Sequence, residues 1–153
     1  MNRAFALILF SLLLIANTAS WGQSNDLRTV VALAKQAKNN GENEKAITYY
    51  EELVKQSSSD AYYYDLLELY LAEKDFNSAE KMVRKRIRQY PQRAEFLVDQ
   101  GHIYSVQELE KEAGKSFDKA VQLALKDNWT TRPAANQFNK YKYYTYSEEI
   151  YLK

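Results

Sequence analysis

A small residue followed four positions later by a bulky one recurs at a nearly constant interval along this chain. No other feature narrows the choice of fold as much. The pairs are Ala46 with Tyr50, Ala79 with Val83 and Ala113 with Phe117, and the alanines stand 33 and 34 residues apart. Nine residues before each alanine comes Ala37, Tyr70 or Tyr104, and three earlier again Ala34, Leu67 or Gly101. Tyr63 and Leu97 extend the second and third sets at helical spacing. Spacings of three and four place side chains on one helical face, and a fixed period of this length marks a stack of repeated units. The first helices are expected at about 27–39, 61–74 and 94–106, the second at about 42–56, 77–90 and 108–126. Gly41 and Asp75 mark the first two inter-helix turns, whereas the third, near Val106 and Gln107, carries no breaker. Pro91 closes the second unit. A helix pair is too thin to bury its apolar stripe alone, so the stripes must be buried by stacking neighbours. Small residues such as Gly101 and Ala113 let the antiparallel helices approach. With four glycines, two prolines and no alternating Val/Ile/Thr runs, a sheet protein is disfavoured.

The first 22 residues form a separate object. Met1-Asn2-Arg3 is short and positively charged, Ala4 to Ala16 is apolar apart from Ser11, and residues 17–22 are small and polar apart from Trp21. That order reads as a secretory signal peptide over residues 1–22. These thirteen residues, Ala4 to Ala16, span roughly 20 Å, short of the roughly 30 Å hydrocarbon core, so an uncleaved anchor is the weaker alternative. Cleavage is expected after Gly22, with Ser20 at −3, in preference to Ala19, where Asn17 fits −3 poorly. The expected location is periplasmic or secreted, with no stable membrane span after cleavage. Losing Arg3 from the 21 basic residues leaves 20 against 20 acidic ones, so no whole-molecule field attracts nucleic acid. The absence of cysteine excludes disulfides, thiolate metal sites and cysteine nucleophiles.

GENEKAITYYEEL (41–53), KDFNSAEKMVRKRIRQYP (74–91) and EAGKSFDKAVQLAL (112–125) resemble the second halves of tetratricopeptide repeats. The resemblance implies an all-α, right-handed helix-turn-helix solenoid. Residues 23–127 would hold three units (27–60, 60–93 and 94–127), with 128–153 a partial, truncated fourth. Three positions depart from the family pattern: Arg86 replaces a small residue, Ala37 a large aromatic, and Ser57-Ser58-Ser59 a proline. In the last stretch, Pro133-Ala134-Ala135-Asn136 fits the start of a first helix, and Ser147 to Tyr151 the opening of a second. Without a polar-faced capping helix, an open apolar edge rich in Tyr141, Tyr143, Tyr144 and Tyr146 is expected. That edge implies self-association, or a chain resembling the N-terminal part of larger exported proteins of Gram-negative bacteria.

In the family the first helix of each unit lines a concave groove that holds protein or peptide. The groove positions carried over are Val31, Lys35 and Lys38; Tyr64, Glu68 and Leu71; Val98, His102 and Ser105; and Asn136 with Asn139. Lys35, Lys38, Tyr64, Glu68, His102 and Asn136 are the candidate partner-binding residues. Val31 and Lys35 stand where the carboxylate-clamp members have lysine and asparagine, so capture of a peptide C-terminus is not implied. A groove basic at one end and aromatic in the middle suits an extended peptide or a partner helix. Tyr63, Tyr70 and Tyr104 read as core by their periodicity, and Tyr64 is balanced between core and groove.

The remaining chemistry is sparse. In the basic run Lys81, Arg84, Lys85, Arg86, Arg88 and Arg93, the pairs Lys81/Lys85 and Arg84/Arg88 form i,i+4 stripes, and the run reads as a solvated face in preference to a nucleic-acid or anionic-lipid patch. His102 is the only histidine, and Asp99 three residues before it suggests a local hydrogen bond more than a base or metal ligand. No phosphate loop, nucleophile elbow or zinc-protease motif occurs. The expectation is a non-enzymatic exported scaffold or adaptor with no cofactor and no metal, binding a protein or peptide partner. The alternatives are a sensor ectodomain of a larger membrane signalling protein, or an accessory subunit for envelope or polysaccharide assembly.

Overall fold

A computed structural model describes residues 26–126 and 128–152, and every regular element among them is an α-helix. In chain order these are α1 (Leu27–Asn39), α2 (Asn43–Gln56), α3 (Asp60–Ala72), α4 (Phe76–Gln89), α5 (Glu95–Val106), α6 (Glu110–Ala124), α7 (Asn128–Lys140) and α8 (Tyr144–Tyr151). The six helices expected from the 34-residue rhythm all form, within two residues at every end. The expected export signal at residues 1–22, with its cleavage positions, lies outside the described residues. Among the described residues no helix is long and apolar enough to cross a membrane.

The turns explain why the third one needs no breaker. Gly41, Lys74, Glu108 and Lys142 all have left-handed backbone, with φ of 72°, 57°, 60° and 65°. At each, the left-handed residue's N–H bonds the carbonyl three back: Gly41 to Lys38, Lys74 to Leu71, Glu108 to Ser105 and Lys142 to Asn139, at 2.9–3.1 Å. The next N–H bonds the carbonyl five back: Glu42 to Ala37, Asp75 to Tyr70, Leu109 to Tyr104 and Tyr143 to Phe138, at 2.8–2.9 Å. This pair of bonds is the Schellman motif, which satisfies the last carbonyls of a helix. The repeat is thus written in the turns as firmly as in the core, although glycine serves at one of four. A side chain in this conformation crowds its own carbonyl. Glu108→Gly and Lys142→Gly are therefore expected to stabilise the protein by about 0.5–1 kcal/mol each, and Gly41→Ala to destabilise it by about 1 kcal/mol. Urea unfolding midpoints check the three signs.

The described residues divide into two compact units, one ending at Tyr63 and the other beginning at Tyr64, with the division inside α3. In the first, α1 packs on α2, burying Val30, Ala34 and Ala37 on one helix and Ala46, Tyr50 and Leu53 on the other. Ala34, Ala37, Ala46 and Tyr50 among them are the positions that carry the repeat. In the second unit α5 packs on α4, α6 and α7, while α8 packs on α6 and α7. Its core joins Ala94, Val98, Ala113, Phe117, Ala120, Ala124, Ala134, Ala135, Phe138 and Ile150. Gly101 faces the Phe117 ring so closely that a Cβ there would overlap it. The small residue expected at this position is thus required by contact.

Four expectations are corrected. Pro133 lies inside α7, not at its start. The helix begins earlier because Thr131 donates to the Ala124 carbonyl at 3.0 Å and Thr130 to that of Leu123 at 3.5 Å, tying its first turn to the end of α6. Of the four tyrosines assigned to an open edge, Tyr141, Tyr143 and Tyr146 turn inward against the core, and Tyr144 alone is exposed. Tyr146 stacks on Phe138 at 5.2 Å, and Phe117 lies 4.6 Å from Tyr143, so the aromatics close this region of the unit themselves. Val98, assigned to the groove, is fully buried in the core. Arg86 is also buried, its guanidinium 5.6 Å from the Tyr90 ring. A long apolar stem lets arginine occupy a small-residue position while its head meets an aromatic face. Tyr63 and Tyr70 are core residues as expected, and Tyr104 packs partly buried against the core.

Candidate partner-binding face

Asp99 and His102 are three residues apart on α5 and therefore share a face. The sequence pairs them locally; the structure turns both toward residues some forty positions away. Asp99, fully buried, accepts hydrogen bonds from the Gln137 side-chain amide and, at 2.8 Å, from the Tyr141 hydroxyl. The Tyr141 ring stacks on the His102 imidazole, with centres 3.8 Å apart and planes 13° from parallel. His102 Nδ1 shares a 3.1 Å hydrogen bond with the Tyr143 hydroxyl. Burial, and secondarily the charge of Asp99, raises the Tyr141 phenol far above its ordinary range. Tyr141 therefore stays a neutral donor to Asp99.

The last turn of α7 adds Lys140, which reaches to α3. Its ammonium lies 3.2 Å from Glu68 Oε1, 4.8 Å from the centre of the Tyr64 ring and 5.6 Å from that of Tyr141. Three of the six residues singled out from the sequence, Tyr64, Glu68 and His102, thus meet around two that were not, Lys140 and Tyr141. Asn136 is exposed on α7 and accepts a 3.4 Å hydrogen bond from the Tyr151 hydroxyl. Asn139 instead accepts from Ser147 at 2.6 Å and belongs to the packing of α7 on α8. Lys35 is exposed and Lys38 half-buried, both on α1 in the first unit. Lys81, Arg84, Lys85 and Arg88 are exposed on α4, with Arg84 paired to Glu80 at 2.6 Å. Among the described residues no three His, Asp or Glu side chains gather to hold a metal ion.

Residues 27–60 match the family described as tetratricopeptide repeat. The helix order of the chain also resembles that of the solved structure of MamA, with a TM-score of 0.52 over 88% of this chain and 79% of that one. At 14% identity this likeness shows the fold alone. No curated protein matches the chain in sequence. By the period of the repeat Lys35, Glu68, His102 and Asn136 occupy one equivalent position of successive first helices, 33 or 34 residues apart. Three of them are exposed and His102 is half-buried.

His102 is the exception because Tyr141 and Tyr143 cover it. Burial, and after it the nearby Lys140 charge, lowers its pKa from 6.5 to about 4. An unfolded imidazole takes up its proton near pH 6.5 and the folded one does so near 4. The unfolded state therefore binds more protons across that window. Stability that is complete above pH 6.5 is lost as the pH falls toward 4. Carboxylates titrate at the lower end too, so the comparison is with His102→Gln. Denaturation at pH 7 and 5 should show a smaller acid loss for the variant, and equal losses would contradict the burial of a neutral imidazole.

Proposed function

We propose that this protein is an exported scaffold that holds a protein or peptide partner on the face formed by the first helices of its repeats. A tetratricopeptide fold supports protein binding in general, and the order of charged, apolar and small polar residues in 1–22 supports export. The single observation that carries the site is the meeting of Tyr64, Glu68, His102 and Lys140 from α3, α5 and α7. Each is partly exposed, and the cluster offers aromatic area, both signs of charge and hydrogen-bonding tips. Such a surface suits recognition of an extended segment or a helix. The test is capture of envelope proteins by the purified chain, compared with a Tyr64→Ala/Glu68→Ala variant. A partner retained by the wild type should be lost by the variant while its circular dichroism is unchanged. Equal capture by both proteins removes the face from consideration.

Self-association is a second reading with its own observation. Trp129 is 87% exposed and Leu152 85%, and Tyr144 and Tyr151 are each 55% exposed, all on the α7–α8 hairpin. Large apolar side chains this open are frequent at protein contacts. Sedimentation of the wild type and a Trp129→Ser variant over a concentration series tests it. A monomer at every concentration removes this reading.

A further inference from the structure

Two aromatic rings and a carboxylate surround the Lys140 ammonium: Glu68 at 3.2 Å, Tyr64 at 4.8 Å and Tyr141 at 5.6 Å. The face of a phenol ring is electronegative, and rings of this kind beside a negative charge are what hold alkylammonium groups. The walls come from α3 and from the turn after α7, and Tyr141 is held by groups other than the lysine. Its hydroxyl is fixed on Asp99 at 2.8 Å and its ring is stacked on His102 at 3.8 Å. A wall pinned on two sides keeps its shape when its occupant leaves. The occupant is open to water on one side, since the Lys140 side chain is 40% exposed and that of Glu68 51%. The arrangement is a pre-shaped cation cage, open on one side, that the chain fills with its own lysine.

We infer that Tyr64, Glu68 and Tyr141 form a binding site for a lysine side chain of a partner segment, and that Lys140 is its internal competitor. The inference deepens the reading of this face as the partner-binding surface and rests on it. An incoming lysine replaces Lys140 contact for contact, and the displaced ammonium moves into water, where it is well solvated. An incoming carboxylate would instead have to break the same pair and then sit beside Glu68, which repels it. Charge complementarity therefore selects a basic segment over an acidic one. Competition from Lys140 lowers the apparent affinity by the fraction of time the cage is filled.

The experiment is an NMR titration of the full chain with N-acetyl-lysine methylamide, with N-acetyl-norleucine methylamide as the uncharged control. Lys140→Ala is expected to bind the lysine amide about tenfold or more tighter than the wild type, with shifts centred on Tyr64 and Tyr141. The norleucine amide should not bind, and adding Glu68→Gln to Lys140→Ala should remove about tenfold of the gain. Lys140→Met keeps the apolar stem and serves the same purpose should the alanine variant unfold. Absence of binding to both Lys140 variants, equal binding of the two amides, or no dependence on Glu68 each overturns the proposal. Partner capture reports separately. Capture that depends on Tyr64 and Glu68 without lysine-amide binding removes the cage and leaves the face. Lysine-amide binding without such capture does the reverse.

Discussion

Phe117→Ala is expected to destabilise the 64–153 unit by about 3–5 kcal/mol, the usual cost of deleting a buried ring whose cavity cannot collapse. The ring is only 4% exposed and lies between helices of two repeats. It lies 5.5 Å from Phe138, 4.6 Å from Tyr143 and 5.1 Å from Tyr146, and it covers Gly101. Each neighbour is itself held by other packing, so the space would stay open. The same contact predicts the converse variant. Gly101→Ala puts a methyl where the ring now lies and should cost about 1–3 kcal/mol by overpacking. Because both changes act at one contact, they should not add. Gly101→Ala combined with Phe117→Leu should be distinctly more stable than the sum of the single effects allows. Urea unfolding of the wild type, the three single variants and the double variant checks this. Additive losses, or a Phe117→Ala cost below about 1 kcal/mol, would mean that the ring does not pack as described.

Asp99→Ala is the second large effect, expected at about 2–4 kcal/mol, and its origin is different. Asp99 contributes little apolar contact; it is the buried acceptor for Gln137 and Tyr141. Deleting it leaves a buried amide and a phenol without their acceptor, and a buried donor stripped of its partner costs about 1–3 kcal/mol. Asp99→Asn keeps one oxygen and should cost less than half as much. Tyr141→Phe removes one of the two donors, so Asp99→Ala should cost less in that background. The position of the His102 resonance gives an independent reading, because Tyr141 stacks on that imidazole. If Asp99→Ala leaves both the unfolding midpoint and the His102 resonance unmoved, Asp99 does not hold the Tyr141 ring in place.

These two sites show unequally in the sequence. Gly101 and Phe117 stand out in the linear order, as members of a small-and-large pattern that recurs with a 34-residue period. Asp99 and Tyr141 do not. Asp99 reads as an ordinary helix carboxylate, and Tyr141 lies in a stretch whose tyrosines suggest an exposed edge. His102 is visible as the only histidine, but its neighbours are invisible, and the local partner assigned to it is replaced by Tyr143. Lys140 carries no linear signal at all, since its contact with Glu68 spans 72 positions.

Helix spacing, turn spacing and the alternation of small with large residues are local properties repeated along the chain, and they suffice to set an all-α helix-turn-helix repeat. They act through backbone sterics and through contacts within a repeat or between adjacent ones, which a periodic sequence encodes directly. What fills the face of that repeat is another matter. The inward turn of three tyrosines, the burial of Asp99 and the enclosure of Lys140 depend on side chains brought together from different repeats. Each was decided by which polar group found a partner as water was excluded, and that outcome exists only once the helices are packed.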